Sequence, residues 1–144
     1  METALERLSA MRDGRLALPP LYELLHITVD DASVGQVRLK FAPDTAFRSP
    51  IGLVGGGVLV TVLDTALAWA CDTCAPVGKS CTTLEVKTNF LRPVAVDSNP
   101  LVAVAKAVFT GSRVMVAEAE LVGSSQNEAG PRIYAIASAT CLVI

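Results

Sequence analysis

The sequence predicts an α+β fold in which an antiparallel sheet of about six strands wraps around one central buried helix. Two observations carry this expectation. The run Val58–Cys71 contains a single charged side chain, Asp64. It is too long for an ordinary strand, and its Ala and Leu content favours helix. The other segments alternate or run apolar at strand length, two before the helix and four after it. A sheet and an apolar helix bury their hydrophobic faces most simply against each other.

Each element follows from local signals. Residues 3–12 suit a short helix closed near Gly14, with Pro19-Pro20 as a stop, so residues 1–20 are an N-terminal arm or short helix. Leu21–Asp30 reads as a first strand, turning at Asp30-Asp31-Ala32-Ser33. Val37–Phe41 alternates strictly, as a strand with one wet face does. A loop over Ala42–Gly55 carries Pro43, Pro50 and Gly52. The helix is expected at about 57–72, apolar on all sides and therefore surrounded by protein. Strands follow at Ser80–Leu91, Leu101–Thr110, Arg113–Gly123 and Pro131–Ile144. A turn at Gly111-Ser112 joins the middle pair, and residues 123–130, GSSQNEAG, form the most flexible loop.

At 144 residues the chain suits one domain spanning 1–144. A net charge of −2 gives no basic excess for nucleic acid. Hydrophobic residues reach 51% and charged residues only 18%, which suggests apolar surface buried between subunits. The N-terminus carries Glu2 and Glu6 and lacks the apolar core of a secretory signal, so the expected setting is cytoplasmic. The apolar run is a poor membrane span. Gly55–Gly57 interrupt one end, and a central Asp costs about 2.5–3.5 kcal/mol.

Cys71-x-x-Cys74 matches half of a zinc or redox motif, but the only histidine, His26, is far away in sequence. Cysteines near a helix C-terminus also lose the dipole's support for a thiolate. The four cysteines are therefore expected to pack as small apolar residues, with no metal or cofactor. Gly78-Lys79-Ser80 resembles the end of a phosphate-binding loop, but Thr73 stands where its first glycine belongs.

Three stretches carry a family resemblance: Gly52–Ala70, GLVGGGVLVTVLDTALAWA; Thr82–Val94, TTLEVKTNFLRPV; and Thr110–Leu121, TGSRVMVAEAEL. Together they resemble the hotdog-fold acyl-CoA thioesterases, in the branch of the phenylacetic-acid-degradation thioesterase, across about residues 35–144. The family pattern is Asn-x-x-Gly-x-x-His-Gly-Gly with an acidic residue further along the helix. Laid on this chain, the loop glycine is Gly52, the paired glycines are Gly56 and Gly57, and the acidic residue is Asp64. Ser49 stands where the family has Asn, and Gly55 where it has His. The resemblance further implies a Ser or Thr on the strand after the helix, contributed across a dimer interface. Counting back from Pro93 makes that Thr83, or Thr82 with a shift of one. It also places Arg113 near the phosphates of coenzyme A and implies a homodimer that can pair into a homotetramer.

Thioester hydrolysis needs an activated water or a nucleophile, and a place for charge developing on the carbonyl oxygen. Glycines opening a helix serve the second need, because unpaired N–H groups point along the dipole and no side chain blocks approach. One such donor is commonly worth about 2.7–4 kcal/mol of barrier, and position and resemblance assign it to the Gly56 N–H. Asp64 serves the first need, as general base or as direct nucleophile. Partial burial of a carboxylate is expected to raise its pKa toward neutrality. Gly56 and Asp64 lie about 12 Å apart along the helix, so a partner strand or subunit must bridge the gap.

The expected function is therefore hydrolysis of a small aryl- or medium-chain acyl-CoA. Catalytic residues would be Asp64, Gly56 and Thr83, with Ser49, Gly55, Gly57, Thr82 and Arg113 binding substrate and coenzyme A entering as part of the substrate. The alternative, motivated by Ser49 and Gly55, is a non-catalytic acyl-CoA-binding or sensing protein on the same fold. A hydratase that pairs Asp with His is disfavoured, since no histidine follows His26.

Overall fold

The computed structural model describes residues 1–123 and 130–144. The order of elements is α1 (Ala4–Arg12), α2 (Pro20–Leu24), β1 (Ile27–Ser33), β2 (Gln36–Phe41), a 3₁₀ turn at Thr45–Phe47, α3 (Gly56–Asp72), β3 (Cys81–Phe90), β4 (Leu101–Thr110), β5 (Val114–Gly123) and β6 (Arg132–Val143). The six strands form one sheet in the order β1-β2-β4-β5-β6-β3, and every pairing is antiparallel. The chain leaves α3 and crosses to the far edge, so β3 is an edge strand. This is the expected sheet of six strands around one helix. The expected flexible loop falls, for residues 124–129, outside the described residues.

The sheet surface that receives α3 is built from small side chains. Ala103, Ala105, Ala117, Ala119, Ala135, Ala137 and Ala139 all face it and are buried. Alanine is a weak strand former, so here packing overrides propensity. Its small size lets the helix approach closely, and α3 fills the space with Leu59, Val62, Leu63 and Leu67. Each such side chain contributes about 1.5–3 kcal/mol on burial.

Three expectations at the edges need correction. No strand begins at Leu21. Pro20 occupies the first turn of α2, where its missing N–H costs nothing, and β1 starts only at Ile27, after His26 in a left-handed backbone (φ 55°). Asp30–Ser33 is not a turn either. Those residues continue β1 past a bulge at Val29/Asp31, Arg38 Nε donates to Asp30 Oδ2 at 3.1 Å, and the chain reverses at Val34-Gly35, where Gly35 has φ +75°. Finally, α3 is not enclosed on every side. The side facing β3 leaves Val60, Asp64 and Ala68 partly exposed, while Leu63, Ala66 and Leu67 are fully buried. No helix among the described residues is long and apolar enough to cross a membrane.

Candidate active site

The start of α3 is shaped by the turn before it. Ser49-Pro50-Ile51-Gly52 closes with Gly52 N donating to Ser49 O at 2.9 Å, and Gly52 takes the left-handed φ of +86°. Ser49 N donates to Leu53 O at 2.7 Å and Val54 N to Val94 O at 2.9 Å, fixing the approach to the helix. Gly55 is the N-cap. Its own N–H donates to Phe47 O at 2.9 Å, and its carbonyl accepts from Val58 N at 3.0 Å. Gly55 is therefore spent on structure. The N–H groups of Gly56 and Gly57 have no acceptor among the described residues.

The two paired glycines differ in their surroundings. A Cβ on Gly57 would meet nothing within 4 Å, whereas one on Gly56 would sit 3.1 Å from Phe90 Cζ. Position 55 has no such restriction: φ −61° and ψ 135° suit any residue, and a Cβ would meet only Phe47 O at 3.6 Å. Glycine there is not demanded by the backbone.

Asp64 lies two turns further along α3, facing β3 and partly exposed. Thr83 Oγ1 donates to Asp64 Oδ1 at 2.8 Å. This pair forms within one chain, which corrects the expectation that Thr83 acts on the carboxylate from across a dimer interface. The cause is a β-bulge at Leu84: Thr83 pairs with Cys141 and Glu85 with the next residue, Thr140. One extra residue on β3 flips the alternation, so Thr83 shares the helix-facing side with Val86, Thr88 and Phe90. Thr82, opposite Leu142, is exposed on the other face and does not reach Asp64.

Behind Thr83 lies Cys141, fully buried beside the equally buried Cys71. The hydrogen bond between these thiols, with burial second, holds Cys71 well above the ordinary thiol range. Cys71 is in the last turn of α3 and packs in the core, as expected; Cys74 lies just past the helix. Arg113 is exposed in the β4–β5 turn. Its carbonyl accepts from Val143 N at 2.9 Å, which places it at the sheet end that also holds Cys81 and Thr82. His26 stacks edge-on against Phe47, with centroids 5.3 Å apart, and its Nδ1 lies 3.8 Å from Asp44.

The structure thus brings Asp64 and Thr83 together, and it gathers Ser49, Gly55, Gly56 and Gly57 at the other end of the same seam. The spacing along one helix keeps the two groups apart within a single chain. A shallow cavity of about 550 Å³, between Lys87, Lys106, Glu118 and Glu120, lies on the sheet face away from α3. Thr88 and the Gly56–Phe90 contact were not legible in the sequence. The signal that could have found them is strand alternation, which runs unbroken from Val86 through Thr88 to Phe90.

The thioesterase superfamily matches residues 51–129, more than half of the 144-residue chain and the part that contains Gly55–Gly57, Asp64, Thr83 and Arg113. No curated protein matches the sequence. Solved structures do. A thioesterase family protein from Silicibacter pomeroyi is 26% identical, with a TM-score of 0.82, covering 95% of this chain and 98% of its own. A phenylacetic acid degradation-related protein from Ralstonia eutropha JMP134 is 28% identical, with a TM-score of 0.79 and coverages of 94% and 98%. The E. coli PaaI protein, from the phenylacetic acid degradation operon, shares the fold at 18% identity, TM-score 0.81 and coverages of 99% and 96%. The sheet around a single helix is the hotdog arrangement, and the chain belongs to the thioesterase superfamily as a thioester hydrolase.

Proposed function

We propose that this thioesterase hydrolyses acyl-CoA thioesters carrying small aryl or medium-chain acyl groups, at a site shared by two copies of the chain. The observation that carries the reading is the 2.8 Å bond from Thr83 Oγ1 to Asp64 Oδ1. It fixes the carboxylate plane from one side and leaves Oδ2 without a donor among the described residues, so Oδ2 can accept a proton from water.

In this reading the thioester carbonyl binds the N–H groups of Gly56 and Gly57, which stabilise the oxyanion as water adds. Asp64 Oδ2 takes the water's proton. The tetrahedral intermediate then collapses, the C–S bond breaks, and the thiolate of coenzyme A leaves and takes up a proton, giving carboxylic acid and free thiol. Gly56 and Asp64 lie about 12 Å apart along one helix, so the carbonyl cradle of one copy works with the carboxylate of another. Edge strand β3 offers the means, since its unpaired backbone groups can pair with β3 of a second copy. Exposed Leu84 and Leu91 near that edge support a homodimer, which can pair again into a homotetramer. Arg113 meets the phosphates of coenzyme A. Ser49 lines the entry, and the setting is cytoplasmic.

The relatives favour the aryl end of this range, since two of them are tied by name to phenylacetic acid degradation. The test is thiol release from a panel of aryl- and alkyl-CoA thioesters, with sedimentation on the same samples. Release above buffer from at least one member, by a dimer or tetramer, is expected. Buffer-level release across the panel would overturn the acyl-CoA reading, and an active monomer would overturn the shared site.

A further inference from the structure

Phe90 is the side chain that closes one flank of the Gly56 amide. A Cβ on Gly56 would lie 3.1 Å from Cζ and 3.4 and 3.6 Å from the two Cε atoms, so the tip of the ring points at the helix start. The flank at Gly57 is open. An acyl group whose carbonyl is held at these two amides has the Phe90 ring as its neighbour on the Gly56 side.

The ring is not committed to the core. It is 52% exposed at the end of an edge strand, although its register partner, Ala135, is fully buried. Two residues back on the same face, about 7 Å along the strand, Thr88 Oγ1 is buried with no hydrogen-bond partner among the described residues. The wall beside the carbonyl cradle is thus an aromatic face, and the hydroxyl next to it is already enclosed and offers an acyl group no polar surface. A flat ring close to the carbonyl is served by that face. An extended alkyl chain has no ring to pair with Phe90 and gains only the area it buries there.

We infer that Phe90 is the specificity-determining residue of the acyl site, resting its ring against the acyl group and selecting those with an aromatic ring next to the carbonyl over straight alkyl chains. This rests on the proposed acyl-CoA hydrolysis, with the carbonyl held at Gly56. An aromatic pair is worth about two- to tenfold in binding beyond its area, and that sets the size of the effect.

The experiment compares kcat/KM for phenylacetyl-CoA and hexanoyl-CoA in the wild type, Phe90→Leu and Phe90→Tyr, with urea midpoints recorded for each. Phe90→Leu keeps an apolar side chain and is expected to lower the phenylacetyl-to-hexanoyl ratio about two- to tenfold, mainly through KM. Phe90→Tyr, which keeps the ring, is expected to retain the wild-type ratio. An unchanged ratio in Phe90→Leu, or an equal loss on both substrates, would overturn the inference while leaving acyl-CoA hydrolysis standing. A wild type that releases thiol from neither substrate would overturn the reading beneath it.

Discussion

Asp64 and Asp72 lie about two turns apart on α3 and both face the β3 side, yet they are held in different ways. Asp72 is saturated. Its Oδ1 accepts from Ser80 Oγ at 2.8 Å and Cys81 N at 2.9 Å, and its Oδ2 accepts from Arg7 Nη2 at 3.2 Å. Its side chain is only 12% exposed. Asp64 has one donor among the described residues, the Thr83 hydroxyl. A carboxylate whose oxygens are both bonded to its own chain ties α1, α3 and β3 together. One held at a single oxygen, in a seam left partly open, keeps an acceptor for water. Satisfaction of hydrogen bonds therefore separates the structural aspartate from the chemical one.

That contrast can be broken or sharpened by substitution. The largest expected effect is at Asp64. Asp64→Asn retains an oxygen for Thr83 but no longer accepts the proton, so thiol release should fall about 10²–10⁴-fold with little change in urea midpoint. Asp72→Ala should do the reverse. It strands Arg7, Ser80 and the Cys81 N–H, costing about 2–3 kcal/mol of stability, while the folded fraction retains its turnover. Thr83→Val keeps the shape and removes the donor to Asp64. Turnover should drop about tenfold, the equivalent of roughly 1.4 kcal/mol for one charge-assisted bond.

The smallest effect concerns alkaline pH. Burial, and then the neighbouring Asp72 carboxylate, push the Cys81 thiol from 9.0 up to about 11. A raised thiol pKa means that the folded state holds its proton more tightly than the unfolded chain. The associated stability is complete below pH 9 and is lost as pH climbs toward 11. Urea midpoints should fall over that window, and Cys81→Ala should remove part of the fall.

The helix and the last three strands were legible because their patterns are unambiguous. α3 follows from a long apolar run opened by glycines, and β4 to β6 from apolar segments of strand length separated by turn residues. The beginning of the chain was less legible. Leu21–His26 is apolar enough to resemble a strand, but Pro20 favours a helix start, and tertiary packing rather than pattern sets where β1 begins. Asp30-Asp31 carries turn chemistry, yet it sits in an edge strand whose carboxylates meet Arg38 and Arg12. In the site, Asp64 and the glycines were legible from their position in the helix and from the resemblance. That Thr83 meets Asp64 within one chain was not, because it depends on a bulge at Leu84 that strand alternation does not announce. The Phe90–Gly56 contact was hidden for another reason: two residues far apart in sequence meet only because α3 runs back along β3.

The most direct test is to measure Asp64→Asn and Asp72→Ala side by side, reading acyl-CoA thiol release per folded molecule and urea midpoint for each. A crossed result is expected: Asp64→Asn loses turnover and keeps its midpoint, and Asp72→Ala loses its midpoint and keeps turnover. An Asp64→Asn protein that hydrolyses acyl-CoA at the wild-type rate would contradict it.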